Sequence, residues 1–380
     1  MNILVVCNYG LYSDLTYSFV HAQTAAYVAL GHKVRVVVPL AVAKRDRNGK
    51  RLSAGMAKHS IDGVEIYDIR YLSLSKYGTR HFNASSAKAA LAGKLSQILE
   101  GFTPDIIHAH TLGFESELGA WLKKKLNCPL VVTTHGSDTH DPYRYGQIGD
   151  LKRWCDKADY VLAVSSDLAE KLRRCGSKSP VRVILNGFRI DSLPQAGEHV
   201  PFSMLQVSSL IPQKKADVTI CAFAELKKTY PSMQFTIAGQ GEEKTHLQAL
   251  CNELSISDSV RFTGQLPNEQ VMEEMARAQF FVMPSVREGF GIVYLEAMAC
   301  GCITIGTAGE GIGDLIVNGK NGFLVPADAP SAIVDIISWC FENPEEAHCI
   351  AEQGRKDAMC LTWENNAAQY ISLFKGMVNE

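Results

Sequence analysis

The sequence predicts an α/β protein with two doubly wound parallel sheets, and three observations carry that prediction. Short β-branched runs alternate with longer amphipathic runs along all 380 residues. The short runs are almost continuously apolar, as is typical of parallel strands that helices cover on both faces. Hydrophobic residues make up 46% of the chain and charged residues 21%, a composition that can fill a core and that argues against a disordered chain.

Thirteen segments are predicted to be strands. Those of the first half are Ile3–Cys7, Lys33–Val38, Val64–Ile69, Ile106–His110, Leu130–Thr134, Tyr160–Val164 and Val181–Leu185. Those of the second half are Met204–Ser208, Gln234–Ala238, Val260–Phe262, Phe280–Met283, Ile303–Ile305 and Phe323–Val325. The runs between them space their apolar residues three and four apart, and Ser18–Leu30 and Ala84–Leu99 are two such predicted helices. Right-handed crossovers then give a doubly wound architecture.

A domain boundary is predicted near Arg189–Phe202, a segment with two prolines, a glycine and no hydrophobic period. The expected domains are therefore residues 1–198 and 199–362, followed by a C-terminal helix over residues 363–380. Ligands of open α/β sheets bind at the carboxyl ends of the strands. Two such domains are expected to face one another across a cleft.

The charge and the cysteine content limit the classes of protein to which the chain can belong. The net charge of −2 argues against a dedicated nucleic-acid binder, but residues 1–198 carry +8 and the remainder −10. The first half is therefore expected to face something anionic. The start of the chain has no signal-peptide pattern, and the 11 cysteines include no C-x-x-C pair. Reduced, buried thiols in a cytoplasmic protein are the simplest interpretation.

The segment Pro284–Gly301 (PSVREGFGIVYLEAMACG) carries the sharpest signal for chemistry. A strand is followed by a loop with two glycines and by a helix that is expected to start near Ile292. Free N–H groups and the positive end of a helix dipole suit a phosphate. Glu288 and Glu296 would repel that phosphate unless they reach past it to sugar hydroxyls, with one acid for each ring of a nucleotide sugar. The alternative is a tight turn with a surface acid.

This segment resembles the signature of the retaining nucleotide-sugar glycosyltransferases of family 4, which have the GT-B fold with two Rossmann-like domains. Further segments match in order along nearly the whole chain. They are Gly31–Val34, Asp105–His110, Thr134–Asp138, Ala158–Ser165, Asn186–Gly187, Val207–Lys215, Ile237–Glu242, Arg261–Gly264, Gly309–Gly313 and Asn321–Val325. In that family the C-terminal helix crosses back to the first domain.

The resemblance implies a role for each matching residue of the second half. Lys214 is expected to bind the pyrophosphate of the donor, and Glu296 is expected to accept hydrogen bonds from the ribose hydroxyls. Glu288 is expected to contact the transferred sugar. The other residues expected to bind the donor are Gly239, Gly289, Phe290, Gly291 and Ile292.

In the first half, the resemblance places His135 at the reaction centre and Gly10, His110 and Asp138 on the acceptor side. It implies transfer of a hexose from a nucleoside diphosphate, with retention and with neither a metal nor a cofactor. A UDP sugar and a GDP sugar both fit these motifs. The implied acceptor is a hydroxyl group of a glycan or glycolipid, as in the synthesis of bacterial lipopolysaccharide or capsule.

Two positions depart from the family pattern. Ser209 stands where the family has an arginine that partners the lysine, so Lys215 or Arg287 is a candidate replacement cation. Many members also have a glycine pair after the first strand, where this chain has only Gly10. Any role of Gly10 is therefore in doubt.

A basic segment in the first half permits two interpretations. Its cations are Lys44, Arg45, Arg47, Lys50 and Arg51. In the first interpretation, these cations bind an anionic membrane face or a lipid diphosphate. Such binding would make the protein peripheral on the inner face of the membrane. Alternatively, the segment is a solvated loop.

Three other functions compete for the same residues. A zinc site would use His108, His110, His135, Asp138 and His140, although their spacing matches no standard zinc pattern. A nicotinamide-dependent oxidoreductase would need G-x-G-x-x-G after a strand, which the first strand lacks. A sugar-nucleotide epimerase of the same fold is the closer alternative.

Overall fold

The computed structural model of the chain describes residues 1–7, 19–42, 55–73, 80–144, 146–194 and 199–379. These residues form two compact units. Unit 1 consists of Met1–Leu185 with Trp363–Glu380, and unit 2 consists of Asn186–Thr362. The predicted strand segments each overlap an observed strand, and the family's GT-B architecture of two α/β units is confirmed.

The strands are β1 (Asn2–Val6), β2 (Lys33–Ala41), β3 (Gly55–Ile61), β4 (Val64–Tyr71), β5 (Ile106–His110), β6 (Leu130–Thr134), β7 (Tyr160–Ala163), β8 (Val181–Val183), β9 (Val200–Val207), β10 (Gln234–Ala238), β11 (Val260–Gly264), β12 (Ala278–Val282), β13 (Ile303–Thr307) and β14 (Phe323–Val325).

The helices are α1 (Phe19–Ala29), α2 (Arg80–Ala92), α3 (Leu95–Ile98), α4 (Phe114–Leu126), α5 (Ser137–Arg144), α6 (Ile148–Cys155), α7 (Ser166–Arg174), α8 (Ala216–Thr229), α9 (Lys244–Glu253), α10 (Asn268–Arg277), α11 (Ile292–Ala299), α12 (Pro330–Glu342), α13 (Pro344–Ala358) and α14 (Trp363–Asn379). The single helix predicted over Ala84–Leu99 is wrong, because the chain leaves the helix at Gly93 and Lys94 and resumes it as α3.

The sheet of unit 1 has the order β3-β4-β2-β1-β5-β6-β7-β8. Every neighbouring pair is parallel except β3 with β4. The chain reverses its direction across the sheet between β1 and β5, and their carboxyl ends form the position where such sheets bind ligands. His110 ends β5 at that position.

Strand β3 was missed, and the expectation of an entirely parallel sheet is wrong at this edge. Its burial falls along the strand, and Lys58, His59 and Ser60 are exposed. An edge strand with this composition has no apolar run to reveal it. Asp62 and Gly63 both adopt positive φ in the turn to β4, at 50° and 75°, so the Asp-Gly pair was the available hairpin signal.

The sheet of unit 2 has the order β11-β10-β9-β12-β13-β14, and all its pairs are parallel. The reversal of direction lies between β9 and β12. Side chains from both faces fill the core, among them Phe223, Phe235, Phe280 and Ile337, each at most 1% exposed. The rigid sheet therefore places the loops after β9, β10 and β12 next to one another.

The division between the units falls at Leu185 and Asn186, whereas the expected first domain ends at residue 198. Phe188 is fully buried, and its N–H donates to the carbonyl oxygen of Leu361 at 3.0 Å. Phe188, which lies just before the segment that resembles a linker in composition, therefore packs within unit 2.

Helix α14 belongs to unit 1, where it packs against α1. Gln23 donates a buried hydrogen bond to Asn366 at 2.7 Å, and Tyr370 and Phe374 are at most 1% exposed. Among the described helices, none combines the length and the apolar run that crossing a bilayer would take.

Candidate functional site

Unit 2 has a cavity of about 390 Å³ at the carboxyl ends of β9 and β12. Its walls come from the loops that follow β9, β10 and β11 and from the first turn of α11. They include Ser208, Ser209, Lys214, Gly239, Gln265 and Val293. Two predicted donor-binding residues, Lys214 and Gly239, therefore line one cavity at the carboxyl ends of the strands.

Gly239 lets two of these loops approach closely. A Cβ atom built at this position would lie 1.8 Å from the carbonyl oxygen of Ser208, and the φ of 146° is one that other residues rarely adopt. The N–H of Gly239 donates to the carbonyl oxygen of Gly264 at 2.8 Å. Glycine is thus required for the wall that the ends of β9 and β10 form together.

Lys214 ends a short 3-10 turn over Pro212–Lys214, and the buried side chain of Gln206 donates to its carbonyl oxygen at 2.9 Å. Its ammonium group contacts the carboxylate of Glu288. The next residue, Lys215, has a left-handed backbone and pairs with Asp328 at 2.6 Å. Of these two lysines, only Lys214 lines the cavity.

The loop before α11 holds Glu288 through several contacts. The hydroxyl of Ser285 donates to the Glu288 carboxylate at 3.3 Å, and the N–H of Glu288 donates to the carboxylate of Glu310 at 2.8 Å. Glu310 lies within the matching segment Gly309–Gly313, and no role was predicted for it. Two carboxylates therefore flank the segment that is expected to hold a sugar diphosphate.

Gly291 precedes the first turn of α11 with a φ of 80°. A Cβ atom there would lie 2.6 Å from the ring of Tyr294 and 3.1 Å from Cγ of Glu288. This close approach brings the loop with Gly289 and Phe290 to the amino end of the helix. N–H groups in a first helical turn lack intrahelical acceptors, so this end can bind an anion, as predicted from the sequence.

Glu296 lies in the second turn of α11 and is half-buried. Burial raises the pKa of its carboxyl group to about 7. Among the residues that the structure describes, its carboxylate has neither a hydrogen-bond partner nor an ion-pair partner. It does not line the cavity, although Val293 of the preceding turn does. A carboxylate with unused acceptor capacity fits the expected role toward ribose hydroxyls.

Unit 1 brings together the two histidines at the ends of β5 and β6. Nδ1 of His110 lies 3.0 Å from Nε2 of His135, and the rings are nearly parallel at 12° with centroids 5.2 Å apart. The ring of Phe19 packs against His135 at 4.4 Å between centroids. Two predicted site residues, 25 positions apart, are thus in direct contact.

Both histidines are neutral at pH 7. Burial lowers the pKa of His110 well below its ordinary value, with further lowering from His108 and His135. Burial also lowers the pKa of His135 to about 4, although the Asp138 carboxylate acts in the opposite direction. An imidazole with such a pKa is a weak base, so His135 is better suited to hydrogen bonding than to proton abstraction.

Asp138 holds the backbone around His135. Its Oδ1 accepts hydrogen bonds from the N–H groups of His135 and Gly136 at 3.0 and 2.9 Å, and its Oδ2 accepts one from Leu112 at 2.8 Å. The residue that the resemblance places on the acceptor side therefore connects the loops after β5 and β6.

Polar groups behind the histidine pair reach helix α14. Nε2 of His108 lies 2.8 Å from the hydroxyl of Thr133, which lies 3.2 Å from the hydroxyl of Tyr370. Nδ1 of His108 lies 3.5 Å from the hydroxyl of Tyr27. No sequence pattern pointed to Thr133 or Tyr370, because their hydroxyl groups meet across 237 positions of the chain.

Other predicted residues are placed as follows. Ser209 is exposed at the cavity, and the structure describes no arginine among the cavity's wall residues. Within the described residues, no group of three or more His, Cys, Asp or Glu side chains is arranged to hold a metal ion. Gly10 and the basic residues from Lys44 to Arg51 lie outside the described residues.

Comparisons with known proteins cover most of the chain. Residues 18–192 match the family described as Glycosyltransferase Family 4, and residues 195–357 match the family described as Glycosyl transferases group 1. An uncharacterized glycosyltransferase of Methanocaldococcus jannaschii is 28% identical over 272 residues, which cover 70% of this chain and 74% of that protein.

Two solved structures have the same fold. Sucrose-phosphate synthase of Thermosynechococcus elongatus gives a TM-score of 0.80 at 22% identity, covering 99% of this chain and 98% of that one. The HepE protein of Anabaena, solved in complex with UDP, gives a TM-score of 0.74 at 20% identity, covering 99% of this chain and all of the other.

Proposed function

Because the chain belongs to the family 4 glycosyltransferases and has the GT-B fold, we propose that it is a retaining enzyme that moves a sugar from a nucleoside diphosphate to a hydroxyl group of an acceptor. The observation that carries this proposal is the cavity of unit 2. Among the residues that the structure describes, Lys214 supplies the one ammonium group that lines it, at the position where open α/β sheets bind nucleotides.

The donor diphosphate binds to Lys214 and to the amino end of α11. Lys214 forms an ion pair with Glu288, so a bound diphosphate takes over all or part of that ion pair. The Glu288 carboxylate can then accept a hydrogen bond from a hydroxyl of the transferred sugar. Lys214 thus binds the diphosphate of the donor, and Glu288 binds its sugar. Glu296, whose carboxylate has unused acceptor capacity, binds the ribose hydroxyls.

Transfer breaks the bond between the anomeric carbon and the phosphate oxygen and forms a bond from that carbon to the acceptor oxygen on the same face. The acceptor proton passes to the departing phosphate, so no protein base is required. Charge develops on the leaving diphosphate and is stabilised by the Lys214 ammonium and by the N–H groups that begin α11. His135 contributes a hydrogen bond at the reaction centre, and the reaction needs no metal or cofactor.

The acceptor is a glycan or a lipid-linked glycan, and the process is the assembly of a bacterial surface polysaccharide. UDP is the first nucleotide to test, because it is the one named with HepE. The cytoplasmic location expected from the cysteines stays a prediction. Membrane binding through Lys44–Arg51 is tested by sedimentation with anionic vesicles, where absence of binding at low salt would end that part of the proposal.

A thermal-shift screen tests the donor site. UDP, GDP, ADP and their sugars are compared with the wild-type protein, Lys214→Ala and Glu296→Ala. A ligand present at 100 times its dissociation constant adds about 2.7 kcal/mol to the free energy of unfolding, which is a readily measured shift. We expect one nucleotide to stabilise the wild type and to lose most of its effect in both variants. Stabilisation that both variants retain in full would place the ligand elsewhere.

A further inference from the structure

The loop that carries Glu288 has an uncommon backbone. Arg287 adopts a φ of 60°, in the left-handed region that residues other than glycine rarely occupy. Hydrogen bonds of the two neighbouring N–H groups hold this conformation. The N–H of Val286 donates to the carbonyl oxygen of Gln213 at 2.8 Å, and the N–H of Glu288 donates to the Glu310 carboxylate at 2.8 Å. Because such a backbone persists only where its surroundings fix it, the loss of either acceptor would let the loop relax.

The backbone of Glu310 is itself held by a packed turn. Glu310 directly precedes the 3-10 turn over Gly311–Asp314, and its carbonyl oxygen accepts a hydrogen bond from the N–H of Gly313 at 2.9 Å. Ile312 anchors this turn, since its side chain is fully buried. The Glu310 carboxylate therefore projects from a fixed backbone toward the loop of Glu288.

The loops that follow β12 and β13 are also in direct backbone contact. A Cβ atom built at Gly311 would lie 2.1 Å from the carbonyl oxygen of Gly289. Only glycine permits so close an approach at this position. Because β12 and β13 are neighbouring parallel strands, their carboxyl ends place the two loops side by side. The hydrogen bond from Glu288 to Glu310 thus spans loops that the sheet already holds together.

Glu288 is held from two sides and by two different groups. Lys214, in the loop after β9, contacts its carboxylate, whereas Glu310, in the loop after β13, accepts from its backbone N–H. In the proposed reaction the donor diphosphate takes over the Lys214 ammonium, so the Glu288 side chain loses that contact. The bond to Glu310 does not compete with the diphosphate, because it involves only the backbone of Glu288. It can therefore keep Glu288 in place while the carboxylate binds the sugar.

We propose that Glu310 is a positioning residue for transfer: through the N–H of Glu288 it fixes the loop after β12 and, with that loop, the Glu288 carboxylate that binds the transferred sugar. The role in transfer rests on the proposed function, but the hydrogen bond is a property of unit 2 that can be measured without a substrate. The role requires an acceptor atom and not a charge. Glutamine retains that acceptor, and alanine removes it.

Amide hydrogen exchange measures the hydrogen bond directly. The Glu288 amide is observed by nuclear magnetic resonance in protein labelled with ¹⁵N in glutamate, and its signal is identified by its loss in Glu288→Ala. At pH 7 we expect this amide to exchange at least about 10-fold more slowly in the wild type and in Glu310→Gln than in Glu310→Ala. Equal exchange in the wild type and Glu310→Ala would overturn the proposal. An unprotected amide in the wild type would do so as well, and that result needs no variant of Glu310.

Kinetics with a nucleotide sugar test the role in transfer. Both substitutions of Glu310 remove its charge, so the comparison between them isolates the acceptor. We expect kcat to fall about 10-fold or more in Glu310→Ala and to stay within about threefold of wild type in Glu310→Gln, with similar donor KM values in the two variants. A merely structural role would lower the melting temperature without this recovery of kcat. An unchanged kcat in Glu310→Ala would overturn the positioning role.

A double-mutant cycle tests whether Glu310 acts through Glu288. In the Glu288→Ala background the carboxylate that Glu310 positions is absent, so adding Glu310→Ala should lower kcat by less than about twofold. A further 10-fold loss would overturn the assignment, because Glu310 would then act independently of Glu288. If the Glu288 amide is protected as expected but the wild type turns over no nucleotide sugar, the proposed function fails, and with it the role in transfer, whereas the hydrogen bond to Glu310 stands.

Discussion

The substitution Lys214→Met tests whether nucleotide binding in the unit 2 cavity depends on this one ammonium group or only on the overall charge of the protein. The side chain is 22% exposed and ends in contact with Glu288, which is 17% exposed. A hydrogen bond between charged groups in such a partly desolvated site is worth about 1.5 to 3 kcal/mol. Removing the ammonium should therefore weaken the binding of UDP or GDP about 10- to 150-fold.

The adjacent lysine provides a matched control. Lys215→Met removes the same charge one residue away, but Lys215 pairs with Asp328 outside the cavity. Isothermal titration calorimetry should find the dissociation constant of the nucleotide within about twofold of wild type, as for a surface pair. Equal losses in the two variants would refute the reasoning, because the effect would then follow from net charge alone.

The ion pair between Lys214 and Glu288 also predicts that a substitution of Glu288 tightens nucleotide binding. Glu288 competes with the diphosphate for the Lys214 ammonium, so Glu288→Gln should tighten the binding of the nucleotide alone, on the order of fivefold. The same substitution should lower kcat, since the contact with the transferred sugar is lost. Weaker binding of the plain nucleotide in this variant would contradict the proposed exchange of partners.

Three further outcomes are expected. Gly239→Ala should cost at least about 3 kcal/mol in thermal or urea unfolding, because its Cβ would overlap a backbone carbonyl oxygen, whereas Gly313→Ala, with open space around it, should be nearly neutral. Glu296→Gln should raise the melting temperature more at pH 8 than at pH 5. Burial raises the pKa of this carboxyl from 4.5 to about 7, so the stability that it contributes falls as the pH rises through that interval, and an equal change at both pH values would contradict this. Phe374→Ala should cost about 3 to 5 kcal/mol in urea unfolding, while Val378→Ala, which is 41% exposed, should cost little; similar losses would mean that α14 is not packed as described.

The predicted strands were recovered because buried parallel strands require continuous apolar runs, and these can be read without knowing the fold. Strand β3 has no such run, since its edge position leaves Lys58 and His59 in solvent. The break between α2 and α3 at Gly93 has a comparable origin, because apolar spacing continued past a residue that favours leaving the helix. Local sequence thus predicted the buried strands correctly. It missed the edge strand β3 and the end of helix α2.

The candidate site was predictable in part. The carboxyl ends of β5 and β6 are neighbours in any parallel sheet with this order, so His110 and His135 were expected near one another. Their direct hydrogen bond depends on ring orientation, which the sequence does not encode locally. The Glu288 N–H bond to Glu310 likewise joins two loops across 22 positions, and only the packed fold brings that carboxylate to the loop.

The most direct test of the donor site is a crystal structure of the protein with UDP or GDP, whichever stabilises it. We expect the diphosphate to lie within hydrogen-bond distance of the Lys214 ammonium, beside Gly239 and the amino end of α11, with the ribose hydroxyls at the Glu296 carboxylate. A nucleotide bound away from Lys214, or one that leaves the contact between Lys214 and Glu288 undisturbed, would contradict it.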